Sequence, residues 1–333
     1  NQSRIHQFDM NDKNNCMYSP DVISFAREKG YFDGVNKDFS FANAYAPLDF
    51  GARRYCEARV WSYFNMFTTR GNEFLPYILG DTDTPMPLFV KPDRKISVQD
   101  VKNAMRDHYE GTPLDISKDF GAGPYHTPYR LSPLSFKVGD KEYFNERPIS
   151  TQQSGFVFVA QMRSTLPDAI GGVLWFGTDD ANMTVFTPVY CCTDKVPVCY
   201  SRVDGADYIT FSWNSSFWIF NWVSNMVYPR YDLMIGDVRA TQNELETTFN
   251  EAQEGIESAA AKLLEKDPAK AKAFLTNYTN MTAQSAFDTW KRLGEFIIVK
   301  YNDGVVRKMK DGKFERNAIG QPAGVVRPGY PKE

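Results

Sequence analysis

Short strand-like runs at the centre of the chain, with helical patterns on both sides, constrain the fold more than any other feature. The runs are rich in Val, Phe, Tyr and Thr, are separated by turn residues, and lie at 156–162, 172–176, 184–189 and 208–212. Such runs are typical of consecutive antiparallel strands. Because the strands are grouped and do not alternate with helices, the pattern predicts an α+β layered fold and not a parallel βαβ one.

Helical patterns flank these strands. Three helices are predicted before them, over 19–30, 52–68 and 97–111, the last with Ser97 and Asp100 as a capping pair. From 240 to 300 the composition shifts to Ala, Glu, Lys and Leu at helical spacing. Breaks at Asp267-Pro268 and near 277–280 predict about three helices there.

We interpret the chain as a single incomplete domain built from successive segments. They are helices and a long loop over 1–148, an antiparallel strand core over 149–235, a helical segment over 240–303 and an extended tail over 304–333. The stretch 112–147 is rich in Gly, Pro, Tyr and Asp, which predicts a long irregular loop. Asn1 follows no initiator Met or signal peptide, so we expect a piece of a longer protein.

Charge and cysteine content exclude several classes of protein. The net charge is −3 and the basic residues are scattered, which argues against nucleic-acid binding. No apolar run reaches the roughly 18 residues of a membrane span. The five cysteines lack metal-ligand spacing. Cys191 or Cys192 could pair with Cys199, with free buried thiols as the alternative, and such a disulfide would favour an extracytoplasmic location.

Four segments carry a family resemblance. They lie at 105–113, 149–167, 170–181 and 211–222, and include the sequences MRDHYEGTP and GGVLWFGTDDA. In order and length they resemble the bacterial cysteine dipeptidases of the Ntn-hydrolase superfamily. The resemblance extends over nearly the whole chain, from Gln7 to Pro331.

The resemblance implies a four-layer αββα fold and hydrolysis of dipeptides. In that family the mature protein begins with a cysteine whose own α-amino group serves as the base, and Asn1 is not that residue. We therefore expect the nucleophile upstream, outside this chain, and expect the chain alone to be inactive. The expected partners are a dipeptide and the missing N-terminal segment, with a homo-oligomer allowed. No metal or other cofactor is expected.

Arg163 and Asp180 are the candidate catalytic residues. Arg163 follows an apolar strand, and the resemblance implies an arginine whose charge favours the thiolate of the nucleophile. The alternative for Arg163 is a structural salt bridge. Asp179 and Asp180 follow the next strand on a turn, where one could hold Arg163 or a substrate amine. The alternative is an aspartate bonded to its own backbone.

The candidate substrate-binding residues are Gln153, Trp175, Asp179, His108 and Asn221. The side chains of Gln153, Trp175 and Asn221 could donate to a carbonyl oxygen or wall a small pocket, with core packing as the alternative, and His108 could be an acid/base group. His108 has no catalytic task if the amino terminus is the base, so a structural histidine is its alternative.

Two other functions stay open at this point. One is a noncatalytic module that binds a peptide or carbohydrate on an aromatic face. The other is metal-dependent hydrolysis by carboxylates with a histidine. The three histidines show no paired ligand spacing, which disfavours the metal-dependent reaction.

Overall fold

The computed structural model describes residues 12–130 and 135–329. Within them the chain forms two compact units. The first runs from residue 12 to Ile96 and includes Glu146–Pro148, and the second comprises Ser97–Asn145 and Ile149 to residue 329, with 131–134 outside the described part.

The first unit is helical. Its helices are α1 (Val22–Glu28), α2 (Phe41–Tyr45), α3 (Ala58–Phe67) and α4 (Leu75–Leu79). A wider helical turn over Ala52–Glu57 runs directly into α3, so the helix predicted over 52–68 is confirmed. The helix predicted over 19–30 is confirmed as α1. One cluster of buried apolar residues in the first unit contains Val22, Ala26, Phe39 and Ala44.

The second unit begins with α5 (Val98–Ala104). The predicted cap is present, since Ser97 Oγ accepts from the Asp100 N–H at 3.1 Å and Asp100 accepts from the Ser97 N–H at 2.8 Å. The prediction that this helix reaches residue 111 is wrong. Tyr109 has a φ of 65°, a left-handed conformation that cannot continue a right-handed helix.

A hairpin lies in the stretch that was predicted to be an irregular loop. Strands β1 (Ser135–Val138) and β2 (Lys141–Phe144) pair antiparallel, with Ser135 opposite Phe144. Gly139 has a φ of 61° in the connecting turn, a conformation that glycine adopts at little cost. All eight strand residues are exposed. The hairpin therefore lacks the alternation of buried apolar and exposed polar residues by which a strand is predicted from sequence.

Three antiparallel strands form the central sheet, in the order β3-β4-β5. They are β3 (Phe156–Met162), β4 (Gly172–Thr178) and β5 (Thr187–Tyr190), with helix α6 (Asp168–Gly171) between the first two. These strands confirm three of the four predicted runs. The run at 208–212 is not a strand: Asp207 pairs with Thr210 in a tight turn, and the two side chains between them are each 81% exposed.

Three helices cover one face of this sheet. They are α7 (Ser216–Val227), α8 (Tyr231–Lys266) and α9 (Pro268–Tyr301). Val157, Val159, Val173 and Trp175 pack on this side in one core with residues of the helices. In that core Phe220 stacks on Trp290 with ring centroids 4.7 Å apart. The segment 149–235, predicted as a strand core, therefore also contains α7 and the start of α8.

The prediction of about three helices over 240–300 is wrong, because only one of the two expected breaks exists. Asp267 separates α8 from α9 and caps α9 by accepting from the Ala269 N–H at 3.1 Å. No break occurs at 277–280, where α9 continues with Tyr278 and Thr279 buried. Packing there overrides the weak helix propensity of Asn and Thr.

The opposite face of the sheet is open to solvent along its edge strand. Alternate residues of β3 point away from the helices, and Phe156, Phe158 and Met162 are 61%, 48% and 60% exposed. Exposed apolar residues in a row mark a surface that another element can cover.

The chain after α9 forms short paired strands. They are β6 (Val306–Arg307), β7 (Met309–Lys310), β8 (Lys313–Phe314) and β9 (Val325–Val326), with β6 paired to β9 and β7 to β8. Mixed helix and sheet content confirms the α+β class. No helix in the described part of the chain has the length and apolar character that crossing a bilayer requires.

Cys191, Cys192 and Cys199 are free thiols, so of the two alternatives the disulfide to Cys199 is absent and the free thiols are present. Cys199 is buried on a helical turn while Cys191 is exposed. Burial raises the pKa of the Cys199 thiol to about 12. The disulfide argument for an extracytoplasmic location therefore no longer applies.

Candidate functional site

Two consecutive aspartates turn the chain directly after β4, and both are fully buried. Asp179 has a φ of 70°, which Asp tolerates better than most residues, and its N–H donates to Gly155 O at 2.9 Å. Asp180 caps the next helical turn by accepting from the Asn182 N–H at 3.1 Å. The strained turn thus holds both carboxyl groups inside the second unit.

Neutral donors surround Asp180. The Ser150 and Tyr129 hydroxyls donate short hydrogen bonds to its carboxyl group, and the Tyr228 hydroxyl lies 3.4 Å away. Burial and the neighbouring Asp180 charge raise the pKa of Tyr129 well above its ordinary value, which keeps its hydroxyl protonated as a donor. We call Asp179, Asp180 and the side chains that donate to them the carboxyl node.

Helix α7 supplies the donors to Asp179. Asn221 Nδ2 donates to one carboxyl oxygen at 2.9 Å, and Ser224 Oγ donates to the other at 2.5 Å. Burial outweighs these hydrogen bonds and raises the pKa of Asp179 to about 7. Within the described part of the chain, no Lys, Arg or His nitrogen lies within 4.0 Å of either aspartate carboxyl group. The node therefore holds acidic groups without a counter-charge.

The arginines that reach the neighbouring segment have other partners. Arg106 donates to Ala181 O at 3.3 Å, but its guanidinium forms a buried ion pair with Glu246 at 2.5 Å. Arg239 donates to Asn182 O at 2.8 Å and to Gln242. These contacts hold the 181–184 segment in place without neutralising the node.

His108 joins the node through Tyr129. The imidazole packs edge-on against the Tyr129 ring, with centroids 5.3 Å apart. Glu110 accepts from the His108 backbone N–H at 2.6 Å and contacts Nδ1 at 2.9 Å. Burial opposes ionisation of Glu110, but the His108 contacts outweigh it and hold the Glu110 pKa below its ordinary value. His108 Nε2 is buried and has no partner among the described residues.

Arg163 lies at the other end of the sheet. The strand register places Met162 opposite Gly172 and Phe156 opposite Thr178, so Arg163 and Asp179 are separated by roughly 20 Å along the strands. The guanidinium forms two hydrogen bonds of 2.7 Å with Glu257 of α8. Arg163 therefore pairs with Glu257, and the expectation that Asp179 or Asp180 pairs with it is wrong.

A cleft of about 380 Å³ adjoins this ion pair. Leu166, Pro167 and Ile170 line one side, and α8 lines the other. Its polar wall residue Gln253 already donates to Gln161 and Glu257, both at 2.9 Å. Arg163, Gln253 and Glu257 are therefore linked by hydrogen bonds along the wall of this cleft.

Two further candidates, Trp175 and Gln153, form none of the described hydrogen bonds to the two aspartates. Trp175 is fully buried, donates to Gln161 Oε1 at 3.0 Å, and carries Lys102 Nζ 3.4 Å from its ring centroid. Burial lowers the pKa of this Lys102 to about 7. Gln153 is exposed on the loop before β3. The structure thus brings together Asp179, Asp180, Asn221 and His108, and leaves Arg163 and Trp175 elsewhere. Gln153 is on the loop between Ser150 and Gly155, which both contact the aspartates.

The sequence interpretation missed several members of the node. They are Tyr129, Ser150, Ser224 and Tyr228, and it also missed Glu110, the partner of His108. Ser224 and Tyr228 recur at helical spacing with Asn221, a signal that could have found them. Tyr129 and Ser150 reach Asp180 across 51 and 30 residues of sequence, and no local pattern encodes such contacts.

The fold and the site define an α+β protein with a buried cluster of carboxyl and hydroxyl groups at one end of its sheet. In the described residues no three His, Cys, Asp or Glu side chains are placed to share a metal ion. The model of peptidase family C69 matches residues 1–244, and the chain belongs to this family. The match ends inside α8, so most of the α8–α9 pair lies beyond it.

Curated relatives carry dipeptidase names. The chain is 33% identical over 190 residues to a probable dipeptidase of Salmonella dublin, covering 57% of this chain and 38% of the relative. It is 25% identical over 278 residues to probable dipeptidase B of Lactococcus lactis subsp. lactis (strain IL1403), covering 80% and 50%. Dipeptidase A of Lactobacillus helveticus is 23% identical over 221 residues, covering 66% and 40%. The chain spans half or less of each of these relatives.

Proposed function

We propose that this chain is part of a dipeptidase that uses an N-terminal cysteine supplied by sequence outside the chain. Family C69 membership and the dipeptidase relatives support peptide hydrolysis. The observation that carries the assignment of the site is the carboxyl node, whose acids are buried and have no charged partner in residues 12–130 and 135–329. A buried acid with a raised pKa, such as Asp179, is a feature that is concentrated at functional sites.

Two cysteines of the chain, Cys192 and Cys199, are poorly suited to be the nucleophile. A nucleophilic thiol needs a lowered pKa, but burial raises the pKa of both Cys192 and Cys199. Cys191 and Cys192 follow β5 at the Arg163 end of the sheet, because Tyr190 pairs with Val173. In the proposed reaction the external thiolate attacks the peptide carbonyl, the amine leaves with a proton, and water hydrolyses the thioester.

Within this proposal Arg163 and the node have different tasks. The Arg163 charge is shared with Glu257 in a two-bond pair, which supports a role in holding α8 against the sheet and weakens its proposed role beside a thiolate. Asp179, Asp180 and Asn221 form the proposed substrate-facing group, in which the Asn221 amide is anchored by Asp179.

The open sheet face supports the αββα layering that we also propose. Phe156, Phe158 and Met162 form an apolar row on the side away from the helices, where a second sheet would bury them. We propose that sequence outside this chain supplies that sheet. Adding the upstream segment is expected to protect the β3 edge amides from hydrogen exchange. Unchanged exchange at β3 in an active protein would contradict the layering alone.

The test of function is dipeptide hydrolysis by the longer protein with a free terminal cysteine. We expect it to hydrolyse dipeptides, the variant with serine at that cysteine to lose turnover, and the chain studied here to show none. The proposal fails if the longer protein cleaves no dipeptide and no related amide. It also fails in its placement of the nucleophile if this chain alone is equally active.

A second candidate function rests on one surface feature. Phe211 and Trp213 are about half exposed, with ring centroids 4.8 Å apart, and Trp213 contacts Trp222 at 5.2 Å. Such an aromatic cluster suits a noncatalytic module that binds a peptide or carbohydrate. Calorimetry of this chain against dipeptide and oligosaccharide panels tests it, since tight binding without turnover by the longer protein would favour the module.

A further inference from the structure

We propose that Asn182 and Arg239 are positioning residues of the carboxyl node. Arg239 fixes the orientation of the Asn182 side chain, and Asn182 fixes the direction in which two hydroxyl groups donate to Asp180. The two residues thereby hold the Asp180 carboxyl group in one orientation. That this carboxyl group serves dipeptide hydrolysis rests on the function proposed above, whereas the positioning rests on the hydrogen bonds of the folded chain.

The first step is the orientation of the Asn182 amide. Arg239 Nη2 donates to Asn182 Oδ1, and Arg239 Nη1 donates to Asn182 O at 2.8 Å. A guanidinium group carries donors only, so the amide oxygen faces Arg239 and the amide nitrogen faces the node. Asn182 is fully buried, so a flipped amide would place its nitrogen against the guanidinium without an acceptor.

The second step is the direction of the Tyr129 hydroxyl. Asn182 Nδ2 donates to Tyr129 Oη at 2.6 Å and to Tyr231 Oη at 3.0 Å. Because an amide nitrogen cannot accept, the single hydrogen of the Tyr129 hydroxyl is directed to Asp180 Oδ2. The raised pKa of Tyr129 keeps this hydrogen in place. The side chain of Asn182 thus sets the direction of the donor to one carboxyl oxygen.

The main chain of Asn182 does the same at the other carboxyl oxygen. Its N–H donates to Ser150 Oγ at 3.0 Å, and the Ser150 hydroxyl donates to Asp180 Oδ1. The same N–H lies 3.1 Å from Asp180 Oδ1. Both oxygens of Asp180 therefore accept from hydroxyl groups that Asn182 orients.

The charge of Arg239 strengthens this arrangement. No carboxylate in residues 12–130 and 135–329 lies within 4.0 Å of its guanidinium, whereas Arg106, which reaches the same segment, pairs with Glu246. A hydrogen bond with a charged donor is stronger than a neutral one, and hydrogen bonds in series polarise one another. Arg239 therefore acts on Asp180 through three successive hydrogen bonds, by way of Asn182 and Tyr129.

Three substitutions separate the direction of donation from the fold. Asn182→Asp keeps the side-chain shape and an acceptor for Arg239, but it removes the donor to Tyr129. Arg239→Met removes the guanidinium, so that the Asn182 amide can flip, while Arg239→Lys keeps a charged donor. Arg230→Met is the matched control, because Arg230 is also partly buried yet donates to Tyr301 O at 2.8 Å.

A spectroscopic test uses this chain without substrate. A hydroxyl hydrogen held in a short bond to a carboxyl group gives a downfield proton resonance, which Tyr129→Phe assigns by its loss. We expect Asn182→Asp and Arg239→Met to shift or remove this resonance, and Arg239→Lys and Arg230→Met to retain it. An unchanged resonance in Asn182→Asp and Arg239→Met, or a native chain without the resonance, overturns the positioning.

The kinetic test uses the longer protein with L-alanyl-L-alanine. We expect Arg239→Met to lower kcat about tenfold with KM within about twofold, and Arg239→Lys to recover most of the loss. Arg230→Met should change neither constant. In a Tyr129→Phe background Arg239→Met should lower kcat no further, since both changes act on the same donor.

The outcomes separate the positioning from the proposed function. Independent losses in the double variant, or equal losses in Arg239→Lys and Arg239→Met, overturn the role of Arg239 in the reaction and leave the dipeptidase proposal standing. A longer protein that cleaves no dipeptide refutes the proposed function, and the Tyr129 resonance still decides the positioning.

Discussion

The two ends of the central sheet differ in how their charged side chains are paired. At the β3–β4 connection, Arg163 and Glu257 pair through two hydrogen bonds beside an open cleft. At the far end of β4, Asp179 and Asp180 are more deeply buried, yet their described side-chain partners are neutral hydroxyl and amide groups. An ion pair with both partners present can stabilise the junction between two elements. Buried acids without a cationic partner can instead be stabilised by a positively charged ligand or substrate.

The largest effect is expected from breaking the matched end. Glu257→Ala leaves the Arg163 guanidinium, which is only 22% exposed, without its partner, and should cost about 3 kcal/mol of unfolding free energy. Denaturant unfolding measures the loss. Glu254→Gln, one turn earlier on the same cleft, is the control and should change stability by less than about 0.5 kcal/mol. Equal losses in the two variants would show that the ion pair does not stabilise this junction.

The unmatched end should gain stability when its charge is removed. Because burial raises the pKa of Asp179 to about 7 in the folded chain, from 3.8 as the ordinary value, folding favours the protonated acid. The native state therefore loses stability as pH rises from about 4 to 7. Asp179→Asn should remove this loss, with a gain about 2 kcal/mol larger at pH 8 than at pH 5.

Urea unfolding of Asp179→Asn at the two pH values measures this difference. The exposed Asp33→Asn is the control and should show no comparable pH dependence. A variant less stable than the native chain at pH 8 would mean that a cation held within the protein already compensates Asp179.

The smallest losses of unfolding free energy are expected from removing single hydroxyl donors of the carboxyl node. Tyr129→Phe removes a buried hydroxyl that forms a short bond to Asp180 and should cost about 1.5 kcal/mol. Tyr228→Phe removes a half-buried hydroxyl 3.4 Å from the same carboxyl group and should cost about 0.5 kcal/mol. Thermal unfolding at pH 7 compares the two variants. The reverse order would show that Tyr228 is the principal donor.

Local chemistry explains which parts of the structure the sequence predicted. Ser97 and Asp267 cap their helices as their residue types require, and the three core strands follow their β-branched and aromatic content. The same aromatic content misled at 208–212, where Tyr208 and Ile209 find no strand partner and point into solvent. Strand propensity describes a side chain that fits a half-buried surface, and only the tertiary fold decides whether that surface exists.

The sequence predicted some residues of the candidate site from their type, but not their partners in the fold. Asp179, Asp180 and Asn221 stand out as polar residues within apolar segments, and the structure brings them together. The pairing of Arg163 with Glu257 joins residues 94 positions apart, so the sequence could not distinguish it from the expected pairing with Asp179 or Asp180. Residue types marked the charged positions, but three-dimensional register decided their partners.

The exposed apolar row on β3 also has a consequence for aggregation. An edge strand that displays Phe156, Phe158 and Met162 to water is a template on which other chains can add strands. We therefore expect concentrated preparations of this chain to self-associate through this strand. A layer that covers β3 soon after synthesis would reduce this tendency to aggregate.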